Sequence, residues 1–162
     1  MWVRFPPGAP RTQPLASASL LQEPAVARDD GQVDEAGAFV VARAVAQRQA
    51  TEVDVGRAVF EGVPGHHAYN PIGMVHGGYA ATLLDSACGC AVHSQLQAGQ
   101  GYTTLELKVA YHKAATSQTG LLRAEGRVLT MGRRAAFAEA KLTDASGRLY
   151  ASATSTLLVI DP

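Results

Sequence analysis

Residues 77 to 95, "GGYAATLLDSACGCAVHSQ", read as one long helix, and nothing C-terminal to them does. The run is rich in Ala and Leu, strong helix formers, despite its glycines. Ala81, Leu84, Cys88, Ala91 and Val92 recur at helical spacing as an apolar stripe. The next segment alternates instead. In "YTTLELKVAYH", residues 102 to 112, Leu105, Leu107, Val109 and Tyr111 fall on one face, and Thr104, Glu106, Lys108 and His112 on the other, the pattern of a half-buried strand. Three more strands are expected at about 120–130, 134–144 and 148–160. "TMGRR" separates the first two and "DASGR" the last two, with Asp and Gly supplying the turn conformations. Upstream, "TEVDVGRAVFEGV" at 51–63 reads as a first strand, ended by Pro64 and Gly65. One helix among successive strands predicts an α+β domain, an antiparallel sheet wrapped around a single long helix.

A chain of 162 residues suits one domain. Pro6, Pro7, Pro10, Pro14 and Pro24 break any period near the start, so residues 1–30 are expected to be a disordered tail and residues 31–162 the domain. "PLASASLL" is too short and weakly apolar for a secretory signal. Within the domain, "QVDEAGAFVVARAVAQR" at 32–48 reads as a modest helix. Lys plus Arg and Asp plus Glu are both 14, which leaves no basic excess for nucleic acid or an anionic membrane. No apolar run approaches the roughly 18 residues of a membrane span. The expected protein is cytoplasmic, and its partner is a small molecule or a second copy of itself. Cys88 and Cys90 are spaced for neither a disulfide framework nor a zinc pair, and read as small buried thiols in a reducing compartment. His66, His67 and His76 lack a nearby carboxylate or cysteine pair, so neither metal nor cofactor is expected.

Asp85 interrupts the apolar helix, and a buried acid is paired or does chemistry. Gly77 and Gly78 open the same helix, where free amides and the positive end of the helix dipole can receive a developing oxyanion. Glycine also lets a ligand approach the backbone. Eight residues of helix put Gly77 and Asp85 roughly 12 Å apart along the axis. One chain therefore cannot bring both to one bond, whereas two antiparallel helices of a homodimer can. A Ser86–His93–Asp85 triad on one helix is rejected, because such neighbours do not converge as a strand-elbow triad does.

The runs "YNPIGMVHGGYAATLLDSACG", "YTTLELKVAYH" and "GRRAAFAEAKLTDASGRLYASATSTLLV" together resemble the hot-dog-fold acyl-coenzyme A thioesterases related to phenylacetic acid degradation proteins, over roughly residues 50–160. The resemblance implies a role for Asn70 in positioning substrate or water, and for the Gly77 amide in polarising the thioester carbonyl with Gly78 beside it. It implies Asp85 as base or nucleophile, His76 as an orienting or polarising neighbour, and a hydroxyl early in the next strand to assist the water. Thr104 is the first candidate for that hydroxyl and Thr103 the runner-up. It further implies an acyl-CoA substrate and a homodimer with shared active sites, assembled as a dimer of dimers. Where the family commonly shows Arg-Pro after this strand, the chain has "YHKAAT", so Lys113 is expected to take a charge contact with the coenzyme, and Arg133 and Arg134 are candidates for its phosphates. The alternatives are a non-catalytic acyl-CoA binder and a hot-dog dehydratase or hydratase. Aromatic, short and medium acyl groups all suit a pocket lined by Ala80, Ala81 and Leu84.

Overall fold

The segment expected to be one strand before the helix folds back on itself. The computed structural model describes residues 49–161; the tail expected over 1–30 and the helix expected over 32–48 lie outside them. β1 (Gln49–Asp54) and β2 (Arg57–Gly62) form an antiparallel hairpin. Its two-residue turn is Val55-Gly56, with Gly56 at φ +76°, a conformation glycine adopts without strain. Alternation across "TEVDVGRAVFEGV" could not reveal this, because a hairpin preserves the alternation on both arms. The turn is tied to the helix end: the Gly56 amide donates to Ser94 Oγ at 2.7 Å.

A loop with one 3-10 turn then leads to α1 (Gly77–His93), two residues shorter at its end than expected. After it come β3 (Gly101–Tyr111), β4 (Leu122–Met131), β5 (Ala135–Asp144) and β6 (Leu149–Ile160), close to the expected spans. All pair antiparallel into one six-stranded sheet ordered β1-β2-β4-β5-β6-β3. The β5–β6 turn forms as its sequence predicts, with Asp144 Oδ1 accepting from the amides of Ser146 and Arg148, and Gly147 at φ +82°.

The inner sheet face is built from small side chains. Ala58, Ala124, Ala136, Ala138, Ala140 and Ala153 are all buried beneath the helix. A Cβ on Gly126 would collide with the Ala87 carbonyl group, so helix and sheet backbones touch there. The helix returns Leu83, Leu84, Ala87, Cys88 and Val92, all at 1 % exposure or less. A buried leucine of this kind contributes about 1.5–3 kcal/mol. The buried stripe departs from expectation at Ala81, which is only half-buried while Ala80 takes the inward position. Burial pushes the Cys88 thiol up to about 12, with the charges of Asp85 and Glu139 adding to the effect. Cys90, by contrast, is half-buried.

The outer face of the same strands is charged. Glu125 accepts from Arg57, Arg123 and Arg127, and Glu52 joins through Arg57 and Arg123. Val59, paired in register with Glu52 and Glu125, is fully buried although it projects to the side opposite α1.

Candidate active site

The helix start can be accounted for amide by amide. His76 caps α1: its Nδ1 accepts from the Gly78 amide at 2.8 Å and its carbonyl from the Tyr79 amide at 2.9 Å. An accepting Nδ1 carries no proton, so the ring proton sits on Nε2. The Gly77 amide takes no acceptor among the described residues. Of the paired glycines, Gly77 thus keeps a free donor and Gly78 does not. Tyr111 closes over this point, donating its hydroxyl to the Gly77 carbonyl at 3.0 Å. A Cβ at position 77 would lie 3.0 Å from the Tyr111 ring and hydroxyl, so a larger residue there would push the exposed tyrosine aside by a few tenths of an ångström.

Asn70 stands in the loop just before. Its Oδ1 accepts from the amides of Ile72 (3.2 Å) and Met74 (3.0 Å), folding the turn in which Gly73 adopts φ +83°. The side-chain carbonyl is thereby committed, and Nδ2 has no acceptor among the described residues. Asn70, His76, Gly77, Tyr111, Lys113 and Tyr150 line a cleft of about 330 Å³. Lys113 stands over the Tyr150 ring, Nζ 5.7 Å from its centroid. Of the residues expected to line a pocket, Ala80 does so, whereas Ala81 and Leu84 do not. Tyr111 and Tyr150 are site residues that sequence reasoning misses; the inward strand phase of Tyr111 is the available signal.

Asp85 is outside this cleft. It lies half-buried on the flank of α1 that faces β3, and Thr104 Oγ1 donates to its Oδ1 at 3.1 Å. This contact corrects the expected phase of β3. A bulge between Thr104 and Glu106 leaves Leu105 as the extra residue, 61 % exposed, and moves Thr104 onto the helix-facing side with Leu107 and Val109. Plain alternation places Thr104 opposite them and Leu105 with them. Thr103, the runner-up, pairs with Leu158 on the exposed side. One helical turn below Asp85, Tyr102 lies across Gly89, where a Cβ would come 2.6 Å from the tyrosine oxygen.

The fold therefore brings Asn70, His76, Gly77 and Lys113 together, and separately Asp85 and Thr104. It does not bring Arg133 and Arg134 to the cleft. They sit exposed between β4 and β5, at the far end of the ten-residue strand that begins at the cleft with Leu122, roughly 30 Å away by strand rise. Ser86 Oγ donates to the Thr82 carbonyl, turned back into its own helix. Among the described residues no group of three His, Cys, Asp or Glu side chains could hold a metal ion, and no helix is long and apolar enough to cross a membrane.

Residues 72–151 match the thioesterase superfamily model. Over that stretch the chain is similar to that superfamily. Its sheet and single long helix are the superfamily's hot-dog fold. Similar solved structures include a Ralstonia eutropha protein described as a putative thioesterase related to phenylacetic acid degradation, 29% identical with a TM-score of 0.65 over 72% of this chain and 89% of that one. Zebrafish thioesterase superfamily member 2 is 27% identical, with a TM-score of 0.65 over 72% and 83%. A Bacillus halodurans protein solved with CoA is 34% identical, with a TM-score of 0.59 over 63% of this chain and 66% of that one. A comparison with curated proteins finds no match.

Proposed function

We propose that the chain hydrolyses an acyl-CoA thioester to a free acid and CoA, as a homodimer whose two sites are each built from both subunits. One observation carries this reading: the Gly77 amide at the start of α1, unpaired among the described residues, opens on a cleft from which the helix acid, Asp85, is absent. A second copy supplies what the first lacks. β3, the strand beside Asp85, is an edge of the sheet with an unpaired ladder among the described residues, and such edges invite pairing with another chain. Two antiparallel copies of α1 then put the Gly77 amide of one beside Asp85 of the other. CoA bound to the Bacillus halodurans relative supports the substrate class.

In this site the thioester carbonyl oxygen accepts from Gly77, with the Nε2–H of His76 and Nδ2 of Asn70 at the cleft mouth. Asp85 of the partner subunit removes a proton from a water that attacks the carbonyl carbon, and Thr104 holds that carboxylate in place. The tetrahedral oxyanion rests on the Gly77 amide. Its collapse breaks the carbon–sulfur bond, and the proton held by Asp85 returns to the departing CoA sulfur. The arginine pair, remote from its own cleft, would meet coenzyme phosphates only in the other subunit's site, on the same side as Asp85.

The test is thiol release from a panel of acyl-CoA thioesters. Wild type should turn over, and Asp85→Asn, which keeps shape and removes the base, should be slower by at least about a hundredfold. A folded Asp85→Asn protein with near wild-type turnover would remove the carboxylate from the mechanism. Binding of acyl-CoA with no release by wild type would favour a non-catalytic binder.

A further inference from the structure

The amide assigned to the oxyanion sits on the least stiff stretch of α1. Gly77 and Gly78 are its first two residues, and glycine is the weakest helix former after proline. No acid stands in the first turn to meet the helix dipole, and helix ends fray. A fraying turn would let the Gly77 amide swing. Two side chains oppose this by taking opposite ends of one peptide group: Tyr111 donates its hydroxyl to the Gly77 carbonyl at 3.0 Å, and His76 Nδ1 accepts from the Gly78 amide at 2.8 Å. The preceding peptide, which carries the Gly77 amide, is tied through its own carbonyl to the Tyr79 amide at 2.9 Å. Fixing both planes fixes the two torsions of Gly77 between them, and with them the direction of its N–H.

The anchor of this clamp is tertiary. Tyr111 ends β3, 34 residues further along the chain, and the next two amides, of His112 and Lys113, both donate to the Tyr150 carbonyl at 2.8 and 3.1 Å. The phenol arm therefore extends from backbone held in the sheet. The same strand carries Thr104, which holds Asp85, so β3 grips both halves of the chemistry on α1. We infer that Tyr111 is a positioning residue: its hydroxyl, with His76 Nδ1, pins the Gly77–Gly78 peptide so that the Gly77 amide stays aimed at the thioester carbonyl. This rests on the thioesterase reading. The ring is 56 % exposed and adds little to the core, so its effect belongs in turnover and not in folding. A preorganised donor counts most where charge develops, so loosening it lowers kcat and spares KM.

Tyr111→Phe keeps the ring and removes the hydroxyl. With an acyl-CoA that wild type hydrolyses, this variant should lower kcat about tenfold and leave KM within about twofold. Amide hydrogen exchange should be about tenfold faster at Gly78 and unchanged at Leu84 and Ala87 in the middle of the helix, which also shows that the variant is folded. Tyr111→p-aminophenylalanine restores a donor on the same ring without a phenol, and should recover most of the lost kcat. A folded p-aminophenylalanine variant as slow as Tyr111→Phe would make the phenol proton itself the acting group and overturn the positioning role. Wild-type kcat in Tyr111→Phe, or a raised KM with kcat unchanged, overturns the inference and leaves the thioesterase reading standing. A wild type that releases thiol from no acyl-CoA overturns that reading and this role with it.

Discussion

The two ends of the candidate chemistry on α1 are satisfied in different ways. At the helix start, the chain uses its acceptor groups on itself: Asn70 Oδ1 folds its own loop, His76 caps two amides, and Tyr111 takes the Gly77 carbonyl. What remains unpaired among the described residues is a set of donors at the mouth of a cleft: the Gly77 amide, Asn70 Nδ2 and the His76 Nε2–H. Two turns along the helix, Asp85 has one hydrogen-bond partner among the described residues, Thr104, and lies on a half-exposed flank beside an unpaired sheet edge. A rigid set of donors and a loosely held acid are complementary halves. Neither is a site alone, and the helix that holds both also keeps them apart.

The sharpest way to break this comparison is to inactivate one half in each of two proteins and mix them. Asn70→Asp suits the first half better than an alanine, because it preserves the oxygen that folds the 70–74 turn while removing Nδ2. Asp85→Asn serves for the second. After dissociation and reassembly, half of the dimers are mixed and each mixed dimer has one intact site, so activity should return to about a quarter of wild type. Mixed dimers as inactive as their parents would show that Asn70 and Asp85 act within one chain.

A smaller effect should come from loosening the acid. Thr104→Val removes the hydrogen bond to Asp85 and keeps the strand, and should lower kcat about tenfold, the equivalent of one hydrogen bond, with KM nearly unchanged. Thr103→Val, on the other side of the strand, is the control and should leave kcat unaffected. Equal effects from the two would mean that the bulge is not what selects the residue.

The paired change Arg133→Ala and Arg134→Ala should raise KM for acyl-CoA a few-fold and spare a short thioester without the nucleotide, since a remote exposed charge contributes binding rather than chemistry. Added salt should mimic it, because exposed charges are screened over about 8–10 Å. Unchanged kinetics with both substrates would leave these arginines as a solvated turn and make Lys113 the residue to test.

The smallest effect belongs to the outer face, distant from both halves, and should appear in stability and not in turnover. Arg57, with help from Arg123 and Arg127, holds the Glu125 carboxyl down at about 2. The folded value lies below the ordinary 4.5, so the stabilisation is fully present above about pH 4.5 and is lost as pH falls toward 2. Glu125→Gln should cost about 1 kcal/mol at pH 7, given how far these side chains remain exposed to screening. Thermal melts of the two proteins should converge in acid. A difference that persists at pH 2 would place the cost in packing rather than in charge.

Periodicity reveals an element when it stays regular throughout, and it fails where the chain breaks its own pattern. α1 and the four strands after it are legible because the apolar period of each is regular over most of its length. The β1–β2 hairpin is hidden, since reversing direction at Val55-Gly56 leaves the alternation intact. The bulge at Leu105 is hidden for the opposite reason: an extra residue is set by pairing with Leu157 and Thr156 across the sheet, which no local pattern records.

The same division runs through the site. The order Asn70, His76, Gly77, Asp85 is readable, and helix rise alone separates the last two, because a helix converts spacing into distance with few free parameters. Which glycine keeps its amide free was decided by the cap that His76 makes, which side of β3 Thr104 occupies was decided by a bulge, and the removal of Arg133 and Arg134 from the cleft was decided by the length of β4. Each of these depends on groups brought together from separate parts of the chain or on backbone geometry that does not repeat. Sequence determined the chemical types and their spacing along regular elements, and tertiary structure alone decided which of their atoms remain free to act, because freedom is what is left after every partner in space has been counted.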